Sequence, residues 1–415
     1  MKKNNLIVAL ILLIFFVISF LTNILGPIIP DIIDSFTLSI GLAGFLPFSF
    51  FVAYAVMSIP SGILVEKYKE KKMLVVAFAL AFTGALLFAL IPSFSVALTS
   101  LFIIGIGMAI LQVVINPLLR TAGGEAHFAF NSVLGQLAFG AASFLSPMLY
   151  SYLVTRIHTG DPGALFSFLD GMVPENLKWV SLYWVFAAIS FVMVIVVYLA
   201  RFPKVELKED EKIDIGAAFK ELLSNKYVIL YFLGIFSYVG TEQGIANWIS
   251  KFLQTYHGVD PATTGASVIS YFWGLLTIGC LLGLLLLKFM DSRTVLVGFT
   301  SGAIIALLAA LFGPVSWALI AFPLTGFFAS VMWSVIFSLA LNSVSQHHGT
   351  FSGILCTGIA GGAVVPLIVG GLAELVGLKL AMLFLLITLG YILSIGLWAK
   401  PLVSNATKSI KDIFK

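Results

Sequence analysis

The chain has 415 residues, 60% of them hydrophobic and 10% charged, with a mean hydropathy of +1.09 and a formal net charge of +4. Soluble domains run to about 45–50% apolar and about 25% charged residues, so a water-soluble interior could not bury this much apolar surface. The composition excludes the soluble classes and points to an all-α integral membrane protein.

Apolar runs of about 18 residues or more, each long enough to cross a ~30 Å hydrocarbon core as a helix, recur along the chain. They predict twelve spans, near 6–28, 42–65, 73–92, 95–119, 127–152, 179–200, 227–251, 262–288, 294–313, 315–343, 350–374 and 379–399. The first run follows MKKNN but is too long for a signal-peptide core, and no A-x-A-like cleavage site follows it. Within it, FLTNILGPIIP places Asn23 just before Gly26, Pro27 and Pro30, a pattern for a helix that breaks or ends. After the second span comes a basic loop, GILVEKYKEKK, with Gly62, Lys67 and Lys72.

Span 4, GIGMAILQVVINPLLR, puts Gln112 and Asn116 one turn apart on the same face. Pro117 frees the carbonyl four residues earlier and favours a kink there. Two stacked amides suit a hydroxyl-rich ligand, although amides also serve as hydrogen-bonding glue between spans. Span 5 aligns Ser132, Gln136 and Ser143, with Asn131 beside them, and its small residues Gly135, Gly140, Ala141 and Ala142 allow close helix approach. The most highly charged segment, 201–226, reads as a solvated linker carrying a short amphipathic helix. It separates a first half (1–200) from a second (227–415), each with six spans.

Span 7 carries FSYVGTEQGIANWIS. On a helical wheel Tyr238, Glu242, Gln243, Asn247 and Ser250 share a broad sector, with Trp248 outside it unless the helix unwinds near Gly244. Glu242 is the one acid in the middle third of any span, and no Lys or Arg lies mid-span to neutralise it. Ionisable groups at that depth are costly and usually functional. Glu242 is therefore expected either to carry a proton or to ligate Na⁺ with Thr241, Gln243 or freed carbonyls; the plainer alternative is a protonated acid bonded to a neighbouring helix. Span 8 adds Ser270, Tyr271 and Trp273, and ends in a second basic loop, GLLLLKFMDSR, with Gly283, Lys288 and Arg293. Span 10 supplies Trp333, with Ser334, Ser338 and Asn342 at successive turns. A tryptophan face can stack on the CH face of a pyranose, whereas one near a span end fits an interfacial belt equally well.

A shift of 221 residues superimposes the two basic loops (Gly62 on Gly283, Lys67 on Lys288, Glu70 on Asp291, Lys72 on Arg293) and also His127 on His348 and Gly140 on Gly361. It also sets Trp333 opposite Gln112, across a cavity between pseudo-symmetric halves. With both termini in the cytoplasm only Arg156, Lys178, Lys251 and Lys379 fall outside; the other 19 of the 23 Lys and Arg (23 − 4) fall inside. That bias sets orientation in the cell membrane, accounts for the net charge, and argues against nucleic acid as a partner.

Together these features resemble the major facilitator superfamily, whose two six-helix halves enclose a midplane site. The loops are similar to its signature G-x-x-x-D-x-x-G-R-[RK], with Glu66 in place of the Asp and Lys69 in place of the second Gly. LQVVINPLLRTAGGEAHFAFN and SYVGTEQGIANWISKFL further resemble the fucose/galactose–glucose/hexuronate permease group, the second stretch its hexose-carrying branch. The resemblance implies a secondary active transporter working by alternating access. Fucose-type members carry a span-1 Asp and a span-4 Glu, which implies proton coupling; here those positions are Asn23 and Gln112, which do not titrate near neutral pH. Glu242 is left as the residue to couple a cation, H⁺ or Na⁺.

The lining is rich in amides, hydroxyls and aromatics and has no mid-membrane cation, which favours a neutral monosaccharide, a hexose such as glucose or galactose, over an anionic sugar. The residues expected to bind it are Asn23, Gln112, Asn116, Asn131, Gln136, Tyr238, Gln243, Asn247, Trp248, Tyr271, Trp273, Trp333 and Asn342, with Glu242 and Thr241 for the cation. Competing readings are proton-driven efflux of amphipathic compounds and a non-transporting sugar sensor. There is no P-loop, GxSxG or HExxH, the five histidines lie at loops or span ends, and Cys280 and Cys356 form no metal or disulfide pattern, so an enzyme is not expected. A monomer in the bilayer without a bound cofactor is the expected form.

Overall fold

The computed structural model describes residues 5–124, 128–160, 163–203, 205 and 216–402. His127 and most of the charged linker lie outside them. The described residues form helices long and apolar enough to cross a membrane in twelve places: Asn5–Phe36, Ile40–Tyr68, Glu70–Leu90, Phe94–Gly123, Asn131–Arg156, Glu175–Leu199, Lys226–Ala246, Pro261–Leu286, Ser292–Phe312, Val315–Leu341, His348–Val376 and Leu378–Trp398. They match the expected spans in number and order. Span 1 is longer than expected, because the chain resumes helix after Asn23 and runs on to Phe36. The linker contributes the helix Ala217–Ser224, which buries Ala218 and Leu222.

Several spans are interrupted. Span 1 breaks between Thr22 and Leu25, where Pro27 cannot donate to the Asn23 carbonyl. Span 7 breaks after Ala246 and resumes as Ile249–His257. The Asn247 amide donates to the Gln243 carbonyl at 2.9 Å and competes there with the backbone ladder. Span 10 breaks between Ala329 and Met332, and the Cys280 thiol donates to the carbonyl of Ser330 at 3.2 Å. Span 4, by contrast, stays helical through Pro117.

Odd-numbered spans run from the face that carries the linker to the far face. The halves meet along spans 2 and 11, spans 5 and 8, and the far ends of spans 1 and 7. Glycines permit these approaches: Gly140 meets Thr277, Gly44 lies against Leu367, and Gly26 meets the backbone of Ala246. Among the described residues, two polar contacts between halves lie on the far side. The Gly41 N–H donates to the Glu374 carboxylate at 2.9 Å, and Lys251 lies 4.0 Å from Asp34. On the linker side, spans 4, 5 and 10 expose polar groups instead: Asn116, Gln136, Ser334 and Ser338. Lipid-facing surfaces expose apolar side chains such as Ile305, Trp317 and Ile320. The molecule is closed on the far side and open toward the linker.

The first basic loop holds a strained residue. Lys69 ends the helix of span 2 with φ 71° and ψ 157°, a region where only glycine is free of steric cost. This is the position at which the superfamily signature has its second glycine. In the second loop the Asp291 carboxylate caps span 9 by accepting from the Arg293 N–H at 2.8 Å, and also pairs with the Arg293 guanidinium at 3.1 Å. Burial raises the Asp291 pKa, but the Arg293 bonds and charge outweigh it and hold the carboxyl below its ordinary value.

Candidate functional site

The centre of the second half is organised by Glu242. Its two carboxylate oxygens accept from different groups: Tyr238 Oη, one turn back on span 7, and Gln243 Nε2 at 3.1 Å. Gln243 Oε1 in turn accepts from Asn247 Nδ2 at 3.3 Å. Tyr238, Gln243 and Asn247 are buried, whereas Glu242 keeps a partly exposed side chain. Among the described residues no cation pairs with the carboxylate. Span 10 closes the cluster from one side, with the Trp333 ring 6.1 Å from that of Tyr238 and stacked on Phe337 at 5.8 Å. Cys280 of span 8 lies within electrostatic reach of Glu242.

Chemically, this is an acid with hydrogen-bond donors on both oxygens and a side chain that is only partly exposed. It is a group that can take up or release one proton. Thr241 does not belong to it. One residue along the helix its hydroxyl turns to span 12, donating to the Ser237 carbonyl at 2.8 Å and bonding Thr388 at 2.6 Å. The expectation that Thr241 shares a cation with Glu242 is corrected, because neighbouring helical residues point about 100° apart.

The first half supplies amides. Gln112 is half-buried, Asn116 and Gln136 are exposed, and none of the three makes a hydrogen bond among the described residues. Asn23 is already engaged: its Nδ2 donates to Ser143 at 2.9 Å, and Ser143 is bonded to Ser19 at 2.6 Å. This ties the break in span 1 to span 5, so Asn23 positions the wall of the cavity.

Other expected ligands are placed elsewhere. Trp248 is fully buried at the far-side seal, where its indole N–H donates to the Pro366 carbonyl at 3.2 Å and its ring covers Gly370. Tyr271 shares an exposed stripe with Ile278 and Leu285, two and four turns on, and faces lipid. Asn131 is buried against Gly123 at the linker end of spans 4 and 5. Asn342 ends span 10, and its carbonyl accepts from Leu402 N–H at 2.7 Å, which puts it at the mouth. Trp273 is buried with its indole N–H unpartnered. The basic-loop residues Lys67, Lys72 and Lys288 are exposed on the linker face, and Gly283 packs on Val331. A separate cleft of about 450 Å³ between spans 9 and 10 is walled by Ile305, Trp317, Ile320 and Phe328, and faces lipid.

Sequence reasoning missed Cys280. It lies two turns after Trp273 on the same face of span 8, a spacing that the apolar character of the span conceals.

Two six-helix halves around a linker-side opening, with one partly exposed acid in the second half, define a membrane transporter of the alternating-access kind. The sequence matches the family model of the Major Facilitator Superfamily over residues 11–366, and the chain belongs to that superfamily. It is 30% identical to the glucose/galactose transporter of Brucella abortus over 397 residues, covering 93% of this chain and 92% of the relative. It is also 25% identical to the L-fucose-proton symporter of Escherichia coli over 391 residues, covering 89% and 87%. The crystal structure of a Major Facilitator Superfamily transporter, FucP, in the outward conformation superimposes with a TM-score of 0.67 at 23% identity, over 95% of this chain and 98% of that one. A bacterial Spinster homologue, inward-facing and unoccupied, gives 0.78 at 17% identity over 95% and 96%.

Proposed function

We propose that the chain is a proton-coupled importer of a neutral hexose of the glucose/galactose class, acting as a monomer with both termini and the linker in the cytoplasm. The observation that carries this reading is the Glu242 cluster, an acid that has no cationic partner among the described residues and lies beside an aromatic wall, in a molecule whose first half exposes the amides of Asn116 and Gln136. Neutral donors and acceptors suit sugar hydroxyls, while an anionic substrate would call for Arg or Lys. The names of the glucose/galactose and fucose relatives point the same way. Bias in the Lys and Arg distribution supports the orientation.

A proton fits the cluster better than Na⁺. Both carboxylate oxygens already face donors, and the nearest hydroxyl in sequence, Thr241, is bonded to span 12. From Glu242 a chain of side chains leads through Gln243 to Asn247, at the break of span 7. Beyond that break lie Trp248 and Lys251, which help to close the far side. Loss of the proton reorganises the donors around Glu242 and, through Asn247, the seal.

Counterflow of labelled hexoses in proteoliposomes tests the substrate: exchange is expected for one or more neutral hexoses, and none across a panel sinks the reading. For coupling, Glu242→Gln is expected to abolish concentrative uptake while leaving counterflow largely intact. Accumulation unchanged in that variant, or accumulation that follows Na⁺ at fixed pH, removes the proton role.

A further inference from the structure

The connection between spans 5 and 6 folds into a nine-residue helix, Ala164–Met172, in which the transport reading has no part. At about 100° per residue its side chains fall on three faces roughly 95–150° apart. Phe166 and Leu169 are buried against the bundle. Ser167 and Gly171 are exposed on a second face. The third holds Leu165, Phe168 and Met172, which are 48%, 58% and 43% exposed. A helix between bundle and water needs only one apolar face, and this one has two.

The helix is held in place. His158, in a left-handed conformation at φ 58°, donates its backbone N–H to Asp170 Oδ1 at 2.8 Å. Its ring Nε2 is bonded to the Val173 carbonyl at 2.8 Å. The Phe166 ring lies 5.6 Å from that of Tyr152 on span 5. Tyr152 is the last member of an exposed stripe with Leu145 and Met148, which is the lipid-facing surface of span 5. The short helix therefore packs beside the end of that stripe, with Leu165, Phe168 and Met172 left uncovered.

We propose that Ala164–Met172 is an interfacial helix lying in the plane of the outer leaflet, with Leu165, Phe168 and Met172 among the phospholipid acyl chains just below the headgroups. Such helices bury their apolar side about 5–10 Å into that boundary. Pinning by His158 and Asp170 fixes its rotation, so Ser167 and Gly171 face water. The assignment to the outer leaflet rests on the orientation proposed above; the depth does not.

The test uses the full chain with Cys280 and Cys356 replaced, reconstituted in phosphatidylcholine vesicles and spin-labelled at one position at a time. Labels at 165, 168 and 172 are expected to collide with oxygen several-fold more often, relative to a water-soluble nickel chelate, than labels at 167 and 171. Equal nickel accessibility at 168 and 167 overturns the proposal. So does dipolar coupling between copies at 168, which would assign the face to a second chain. Phe168→Trp gives an independent reading: brominated phosphatidylcholine is expected to quench the added fluorescence, and iodide quenching in its place refutes lipid contact. Impermeant-thiol labelling at 167 from one side of the membrane reports the leaflet separately, so a wrong orientation is distinguishable from a wrong depth.

Discussion

Replacing Gly26 by alanine is expected to tip the alternating-access equilibrium. A Cβ at this position would collide with the carbonyl oxygen of Ala246, and would sit 3.2 Å from both the carbonyl carbon of Ala246 and Ile269 Cδ1. Gly26 belongs to the first half, and Ala246 and Ile269 to the second. The main obstacle is backbone, so no side-chain rotation relieves it. Overpacking of this kind costs about 1–3 kcal/mol. Opening the far side separates the two spans and removes the clash, so the cost falls on the far-side-closed state alone. At about 2 kcal/mol, the ratio of closed to open molecules drops roughly 30-fold, since 1.4 kcal/mol is a factor of ten. Spin labels at Leu42 and Thr264, exposed on the far side of opposite halves, report the change as a longer distance in pulsed electron resonance. Gly84→Ala is the control, because its Cβ meets Ile104 Cγ1 at 2.7 Å and the Ser100 carbonyl at 2.8 Å, both within the first half. It should lower thermal stability without moving the distance. Identical distance distributions in Gly26→Ala and the parent would refute the reasoning.

Tyr238→Phe removes one of the two donors to Glu242 and is expected to shift the pH dependence of uptake while sparing sugar counterflow; Thr241→Val, whose hydroxyl faces span 12, should leave the pH profile where it is, and uptake measured from pH 5 to 9 separates the two. Trp333→Ala is expected to raise the hexose KM about tenfold or more in counterflow, through loss of a stacking face. Lys69→Gly relieves a backbone conformation that costs of order 1–3 kcal/mol, less about 1 kcal/mol for glycine's extra freedom when unfolded, and should raise the melting temperature in detergent. Asp291 has its carboxyl held below the ordinary 3.8, so it contributes stability that is present above that value and lost as pH falls through the depressed one. Melting of Asp291→Asn should therefore lie below the parent at pH 7, with the gap closing as the buffer is acidified below about pH 4.

The twelve spans and two halves were legible because bilayer thickness imposes a length that the apolar runs meet. Glu242 was legible for a related reason: one acid in hydrocarbon stands out against a background that excludes charge. Which way each neighbour points was less so. Tyr271 and Trp248 were expected in the cavity but face lipid and the far-side seal. In a soluble helix exposed means polar, and the wheel identifies the buried side. In a membrane the lipid-facing side is as apolar as the packed side, so periodicity loses that contrast. Thr241 shows the finer limit. Adjacent to Glu242 in sequence, it was grouped with it, yet the helix turns it onto Thr388, a partner 147 residues away. The Gly26–Ala246 contact is likewise invisible in sequence, since it depends on both breaks, at Asn23 and at Asn247.

Those two breaks bear on why the acid sits in the second half. Each is marked by an asparagine, but the two amides have different partners. Asn23 bonds sideways to Ser143 of span 5, fastening span 1 to its own bundle. Asn247 bonds back along span 7 to Gln243, and Gln243 bonds Glu242. The second break is thereby connected to a group that can change its charge. The segment beyond it also bears Lys251, which reaches Asp34 in the opposite half. A carboxylate at Asn23 could not donate to Ser143 as the amide does, so the bond that fastens span 1 to span 5 would have to reverse, with the Ser143 hydroxyl turned away from Ser19 and Phe139. With neutral residues at Asn23 and Gln112, the first half presents amides that do not change charge. The second half holds the acid, the hinge and the seal in one run of chain.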